Sequence, residues 1–254
     1  MLTIIKAALQ EKTRRKDFLV VLGVGILFLL LISTGTASIS VNGESITGFS
    51  RMLGVLISIS TAIICLLSII LSLSTISNEY KRRSSHLVWV RGISQAKYHT
   101  SLAGANFLAS CLAALVLYAV LIYYFVSQGQ GLLIPRLLPA FLMTLISVAA
   151  CTTLTSVLSL FLSPLATGII SFLIVGAGLL ANSLETLSYL SEGVSSTLIR
   201  LILKISPDLS SVSAQTTAWL QGENILINPL LRVVLWAYLL SWILIIFKKK
   251  EASS

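Results

Sequence analysis

The sequence predicts an all-α, polytopic membrane protein with six transmembrane helices in a single transmembrane domain covering residues 1–254. Three observations predict it. Hydrophobic residues make up 56% of the chain and charged ones 11%, at a mean hydropathy of +0.95, which is more apolar surface than a water-soluble core can hide. The apolar residues fall in charge-free runs near the length of ~20 residues that a helix needs to cross a hydrocarbon core of roughly 30 Å. The basic residues gather in the segments between alternate runs, as they do where Lys and Arg hold a loop on the cytoplasmic side.

In chain order, residues 1–17 come first, with Leu2, Ile5, Ala8 and Leu9 on one face and Lys6, Gln10, Thr13 and Arg14 elsewhere. That pattern describes an amphipathic helix lying on the cytoplasmic membrane surface. The spans then run from Phe18 to Thr36, Met52 to Ile76, Leu102 to Val126, Leu138 to Leu162, Ala166 to Ala181 and Leu230 to Phe247, the fifth being short. Pro135, Pro139, Pro164, Pro207 and Pro229 lie between these runs or at their ends, where the missing N–H breaks no helix ladder. A secretory signal ending near Gly35-Thr36-Ala37 is the lesser reading, since the basic leader and the apolar run are both longer than such signals.

Two connecting segments carry patterns of their own. Residues 77–101 place Glu79 and Tyr80 before Lys81-Arg82-Arg83, then the apolar Leu87-Val88-Trp89-Val90, a break at Arg91-Gly92, and Ser94 as N-cap of the helix that becomes the third span. A short exposed helix with a basic start and an aromatic middle suits docking as well as topology. In the extracytoplasmic segment 182–229, Leu187, Leu190, Val194, Leu198, Leu201, Ile202 and Ile205 recur at helical spacing until Ser206-Pro207 stops them. This predicts an interfacial or re-entrant helix whose Arg200 and Lys204 reach the headgroups.

Charge sets the orientation. Lys6, Lys12, Arg14, Arg15 and Lys16 precede the first span, Lys81, Arg82, Arg83, Arg91 and Lys97 separate the second from the third, and Lys248, Lys249 and Lys250 follow the last. Both termini and the turn at Ser163-Pro164 are then cytoplasmic, with Arg51, Arg136, Arg200, Lys204 and Arg232 outside. The net charge of +9 is accounted for as a topology signal, with no nucleic-acid partner implied.

The chemistry-bearing residues exclude more than they suggest. Cys65, Cys111 and Cys151 fall within spans and lack zinc spacing, so they read as small packing residues and no metal site is expected. Only His86 and His99 exist, both assigned to the cytoplasmic loop, and neither H-E-x-x-H nor G-x-S-x-G occurs, so no catalytic residue is assigned. No span carries the carboxylate or lysine expected of a proton relay. What the spans do carry is hydroxyls at steps of three and four. Ser58, Thr61, Cys65, Ser68, Ser72 and Thr75 line one face of the second span, Thr144, Ser147, Cys151 and Thr155 repeat the spacing in the fourth, and Thr167, Ser171, Gly178 and Asn182 approximate it in the fifth. Such a stripe either packs helices through small residues or lines a pathway.

With Ile76-Ser77-Asn78-Glu79-Tyr80-Lys81-Arg82-Arg83, Val90-Arg91-Gly92-Ile93-Ser94 and Lys97-Tyr98, the chain resembles the membrane-spanning permeases of ATP-binding-cassette (ABC) transporters, in the type-2, exporter-like branch. The resemblance covers the whole chain in architecture: amphipathic N-terminus, six spans, a cytoplasmic coupling helix after the second, and membrane-dipping helices between the fifth and sixth. It implies that Glu79, Tyr80, Lys81, Arg82, Arg83, Trp89, Arg91 and Gly92 form the interface with an ATP-binding subunit. It also implies a second permease copy or paralogue, with the second and fifth spans near the centre of the dimer, in the plasma membrane of a bacterium. The chain lacks G-x-x-x-x-G-K-[ST], so it binds no cofactor itself, and ATP and Mg belong to the partner subunit. Charge-poor spans favour an amphiphilic or hydrophobic cargo such as a peptide, drug or lipid, moving outward by analogy with the family. A non-transporting membrane anchor or assembly protein, and a secondary carrier, are the alternatives; the carrier lacks the expected repeats and broken helices.

Overall fold

The computed structural model describes residues 2–13, 49–73, 75–76, 92–190 and 194–247, with short pieces at 19–20, 22–23, 25–27, 30, 40–41 and 44–45. These residues are almost wholly helical. The helices are α1 (Leu2–Thr13), α2 (Phe49–Ser72), α3 (Gln95–Ser127), α4 (Leu137–Phe161), α5 (Pro164–Leu179), α6 (Ala181–Leu190), α7 (Val194–Ile205), α8 (Leu209–Gln221) and α9 (Ile227–Ile246). A 3₁₀ turn at Gly131–Arg136 leads into α4. One small antiparallel hairpin departs from the all-α expectation, pairing β1 (Ser40–Val41) with β2 (Glu44–Ser45).

Among the described residues, four helical stretches are long and apolar enough to cross a membrane: Arg51–Ser72, Gln95–Ser127, Gly131–Phe161 and Ile227–Ile246. The α5 and α6 pair adds a fifth if counted as one span, bent by 73° at its break. At 16 residues, α5 alone reaches about 24 Å, short of a hydrocarbon core of roughly 30 Å, so the expected span Ala166–Ala181 is not a full crossing by α5 alone. The first expected span lies largely outside the described residues. Its described pieces pack on the bundle: Leu22 and Ile26 touch the main core, and Gly25 sits so close that a Cβ there would meet Ile63 at 2.8 Å.

Local chemistry explains where helices begin and end. Ser94 is the N-cap of α3, its side chain accepting from the Lys97 N–H at 3.4 Å, and Gly92 takes the left-handed φ of +74° just before it. The third helix therefore starts at Gln95, earlier than the apolar run from Leu102, because a cap rather than hydropathy sets its first turn. His99 consequently belongs to a buried turn of α3, not to a loop. Ser163 caps α5, with Pro164 at its first position, as the expected tight turn requires. Asp208 caps α8, which ends at Gly222 in left-handed conformation.

The two ends of the bundle are marked by different contacts. At one end, Ile4 and Ala8 of α1 pack on a cluster containing Ile76, Tyr98, Leu102, Leu160 and Leu244, and the rings of Phe161 and Phe247 stand 4.4 Å apart. The half-buried face of α1 is Ile4, Ile5, Ala8 and Leu9, while Thr3, Lys6, Ala7, Gln10 and Glu11 are exposed, in line with the amphipathic pattern; residues 14–17 lie outside the description. At the opposite end, Phe49 stacks on Tyr124 at 5.9 Å and meets Phe125 edge-on at 5.5 Å. There the Trp219 indole donates to the Arg136 carbonyl at 3.1 Å.

Residues 182–229 hold more structure than their periodicity suggests. The expected helix ending at Ile205 is two helices, α6 and α7, and α8 follows it. The turn joining α7 to α8 is driven into the bundle. The Trp236 indole, halfway along α9, donates to the Ile205 carbonyl at 3.1 Å, and Pro207 lies directly against Gly178 near the end of α5. From that turn α8 runs back to Arg136, whose guanidinium Nη1 donates to the Leu220 carbonyl at 3.4 Å.

Candidate functional site

The small-residue stripes of α2, α4 and α5 turn toward a common interior. On α2, Thr61, Cys65, Ser68 and Ser72 are buried, Thr75 is half-buried and Ser58 is exposed. A helix rotates about 100° per residue, which puts Ser58 and Thr75 at opposite edges of the arc and the four buried residues between them. On α4, Thr144, Ser147, Cys151 and Thr155 are all buried. On α5, Thr167, Ser171 and Gly178 are buried, whereas Asn182, beyond the bend in α6, is exposed. Cys65 and Cys151 lie in one core with Val175, Leu209 and Val233, so α2, α4, α5, α8 and α9 share it.

Within this interior the hydroxyls divide in two. Some bond their own helix one turn back: Ser60 to the Leu56 carbonyl at 2.6 Å, Ser68 to Ile64 at 2.8 Å and Thr155 to Cys151 at 2.8 Å. That satisfies the donor without any neighbour. Ser72, Ser110, Ser147, Thr167 and Ser171 are buried with no hydrogen-bond partner among the described residues. Three of these belong to facing stretches of α2 and α5, where the helices approach so closely that a Cβ on Gly168 would lie 2.9 Å from the Leu73 side chain. An unpartnered buried hydroxyl costs about 1–3 kcal/mol, so this interface gives up stability for polarity.

Cross-helix polar contacts form a second group, which the periodicity missed. Thr75 Oγ1 lies 3.1 Å from Asn106 Oδ1, and Asn106 Nδ2 lies 3.4 Å from Ser156 Oγ, joining α3 and α4 to the helical residues that follow α2. Tyr118 donates to the Ala140 carbonyl at 3.1 Å and its hydroxyl pairs with Thr144 Oγ1. The signal that finds Asn106 is an amide within the apolar run that starts at Leu102, where a side chain with two donors must be given partners.

Of the residues assigned to the coupling loop, Glu79, Tyr80, Lys81, Arg82, Arg83, Trp89 and Arg91 lie outside the described residues. Gly92 is described: it is exposed, and a Cβ there would meet nothing within 4 Å, so its φ rather than crowding calls for glycine. The loop leaves and re-enters at the end of the bundle where Ile76 and Tyr98 share a core with α1.

The arrangement holds helices together through small polar side chains and presents apolar residues outward. Only 22% of the most apolar stretch of α9 is buried, and Leu231, Leu235, Tyr238, Leu239 and Trp242 are exposed along it. Among the described residues no three of His, Cys, Asp and Glu gather as a metal site would require. The class these features define is a bundle of apolar helices compatible with an integral membrane protein. No family model matches the chain, and comparison with curated proteins finds no match either.

Proposed function

We propose that this chain is the membrane-spanning permease subunit of an ATP-driven ABC transporter of the type-2 kind, exporting an amphiphilic or hydrophobic substrate from a bacterial cell. The observation that carries the reading is the inward-driven turn between α7 and α8, anchored on Trp236 and Gly178, in a chain whose sequence carries the Glu79–Gly92 pattern. In a membrane that turn makes α7 and α8 a re-entrant pair between the fifth and sixth spans. Irregular backbone at such depth is tolerated where protein surrounds it, and here α5, α6 and α9 do. The packing of α1 beside the entry to α3 supports the same reading, since it puts the amphipathic helix at the end from which the basic loop leaves.

On this reading six spans cross the plasma membrane with both termini cytoplasmic, and a second copy or a paralogue completes the pathway. Nucleotide and Mg are held by a separate ATP-binding subunit docked on residues 79–92. Closure of two such subunits on ATP tilts the loop helix and shifts the permease halves between inward- and outward-open states.

The test is affinity purification of the tagged chain in mild detergent, with identification of what copurifies and an ATPase assay. A stoichiometric ATP-binding subunit, lost when Arg82, Arg83 and Arg91 are replaced by alanine, is the expected result. A chain that purifies alone and without ATPase activity in several detergents instead identifies an anchor or a secondary carrier.

A further inference from the structure

A cavity of about 330 Å³ lies between α6, the α7–α8 turn and α9. That is the lower end of the range, roughly 300–1,000 Å³, that holds small ligands. Its wall carries four charged side chains, Glu185, Lys204, Asp208 and Arg232, beside Trp236. They are not equivalent. Asp208 is occupied by the start of α8: Oδ1 accepts from the Ser210 hydroxyl at 2.9 Å and the Ser211 N–H at 3.0 Å, and Oδ2 accepts from the Ser211 hydroxyl. Glu185 accepts a single long bond, from the Tyr189 hydroxyl at 3.4 Å. Neither Lys204 nor Arg232 forms an ion pair with either carboxylate, although all four line one space.

Glu185, Lys204 and Arg232 are exposed along the open side of this cavity, and Asp208 is half-buried. Arg232 is the sixth residue of the 20-residue α9, about 8 Å along an apolar helix, and Lys204 adjoins Ile205, which bonds Trp236 one turn farther on. From a turn or two inside a helix end, long cationic side chains extend to the headgroup layer of a bilayer, where lipid phosphates lie. Beside the cavity, α7 exposes Leu198, Leu201, Ile202 and Ile205. Accessible charges of both signs around the cavity, beside an uncovered apolar helix face, match the two halves of a phospholipid.

We propose that this cavity binds the headgroup of a zwitterionic phospholipid. Its phosphate lies between Lys204 and Arg232, its ammonium is directed to Glu185, and its acyl chains run along the exposed face of α7. Two cations without ion pairs among the described residues supply charge-assisted donors to phosphate, and the lightly engaged Glu185 carboxylate supplies an acceptor for the amine. A purely anionic headgroup would leave Glu185 opposed to it, so phosphatidylethanolamine is preferred over phosphatidylglycerol. The proposal rests on the membrane setting of the helices and not on an ATP-binding partner, so either can fail alone.

The test uses the full chain purified in mild detergent, titrated with short-chain phosphatidylethanolamine or phosphatidylglycerol and read by native mass spectrometry. Inorganic phosphate serves as the soluble competitor. The wild type is expected to retain phosphatidylethanolamine in preference, with Lys204→Gln and Arg232→Gln each weakening it about tenfold, the loss of one charge-assisted bond. Glu185→Gln, at an exposed side chain, should abolish the preference while leaving phosphatidylglycerol binding unchanged. Unaltered binding in both cation variants overturns the proposal. So does a preference that survives Glu185→Gln, or displacement of the lipid by equimolar inorganic phosphate, which would mark a site for a soluble anion.

Discussion

At the scale of single residues, Gly178 has the sharpest constraint. A Cβ there would lie 2.1 Å from the Pro207 carbonyl oxygen, and a backbone atom, unlike the end of a flexible side chain, cannot step aside alone. Gly178→Ala should therefore push the α7–α8 turn off α5 and destabilise the protein by about 1–3 kcal/mol, the usual cost of overpacking. Gly176→Ala, where a Cβ would meet nothing within 4 Å, is the matched control and should leave the midpoint of thermal unfolding in detergent near the wild-type value. A drop of equal size in both variants would mean that helix α5, not the turn, is being disturbed. Gly178 was visible in the sequence only as one member of a stripe of small residues. Its partner lies 29 positions away along the chain, and no local pattern connects a glycine with a distant carbonyl.

At the scale of elements, local signals and long-range packing separate cleanly. Ser94 and Pro164 announce the starts of α3 and α5, because capping and a fixed φ act within one turn. The bend at Leu180 and the whole of α8 were not announced. The polar helix α8, with Ser210, Ser211, Ser213, Thr216 and Thr217, carries too few apolar residues for hydropathy to find, and it is held by packing on its neighbours. The pairing of helix ends is open to test. Phe161 and Phe247 stand 4.4 Å apart, so cysteines at both positions in a cysteine-free background should cross-link readily with copper-phenanthroline. Cysteines replacing Phe49 and Phe161, which mark opposite ends of the bundle, should not. Cross-linking of the second pair but not the first would mean that α4 runs the other way.

For the whole molecule, the proposed transport function predicts that coupling and assembly reside in the loop after α2. Glu79→Lys reverses a charge where the ATP-binding subunit is proposed to dock. It should leave the chain in the membrane while substrate export is lost, either because the partner no longer binds or because its ATP hydrolysis no longer moves substrate. Export assays in cells, alongside ATPase measurements on the purified complex, separate these two routes. Normal assembly with normal transport would remove Glu79 from the interface. Of the candidate residues, those in the loop are supported by sequence pattern, and those in the stripes are now located: all but Ser58, Thr75 and Asn182 lie buried in the interior that α2, α4 and α5 share.

The amino-acid sequence by itself determined the helical, membrane-compatible character of this protein, the approximate positions of its described long helices and the inward side of its small-residue stripes. These follow from the transfer preference of each residue and from a helical period that neighbours three and four apart share. Tertiary structure alone decided that Pro207 rests on Gly178, that Asn106 reaches Ser156, and that Lys204 and Arg232 line one cavity without pairing to Glu185 or Asp208. Hydropathy reports how each segment partitions between water and lipid. It does not report which polar group meets which across the bundle, because those meetings depend on helix rotation, depth and crossing, and they are resolved only when all the helices pack at once.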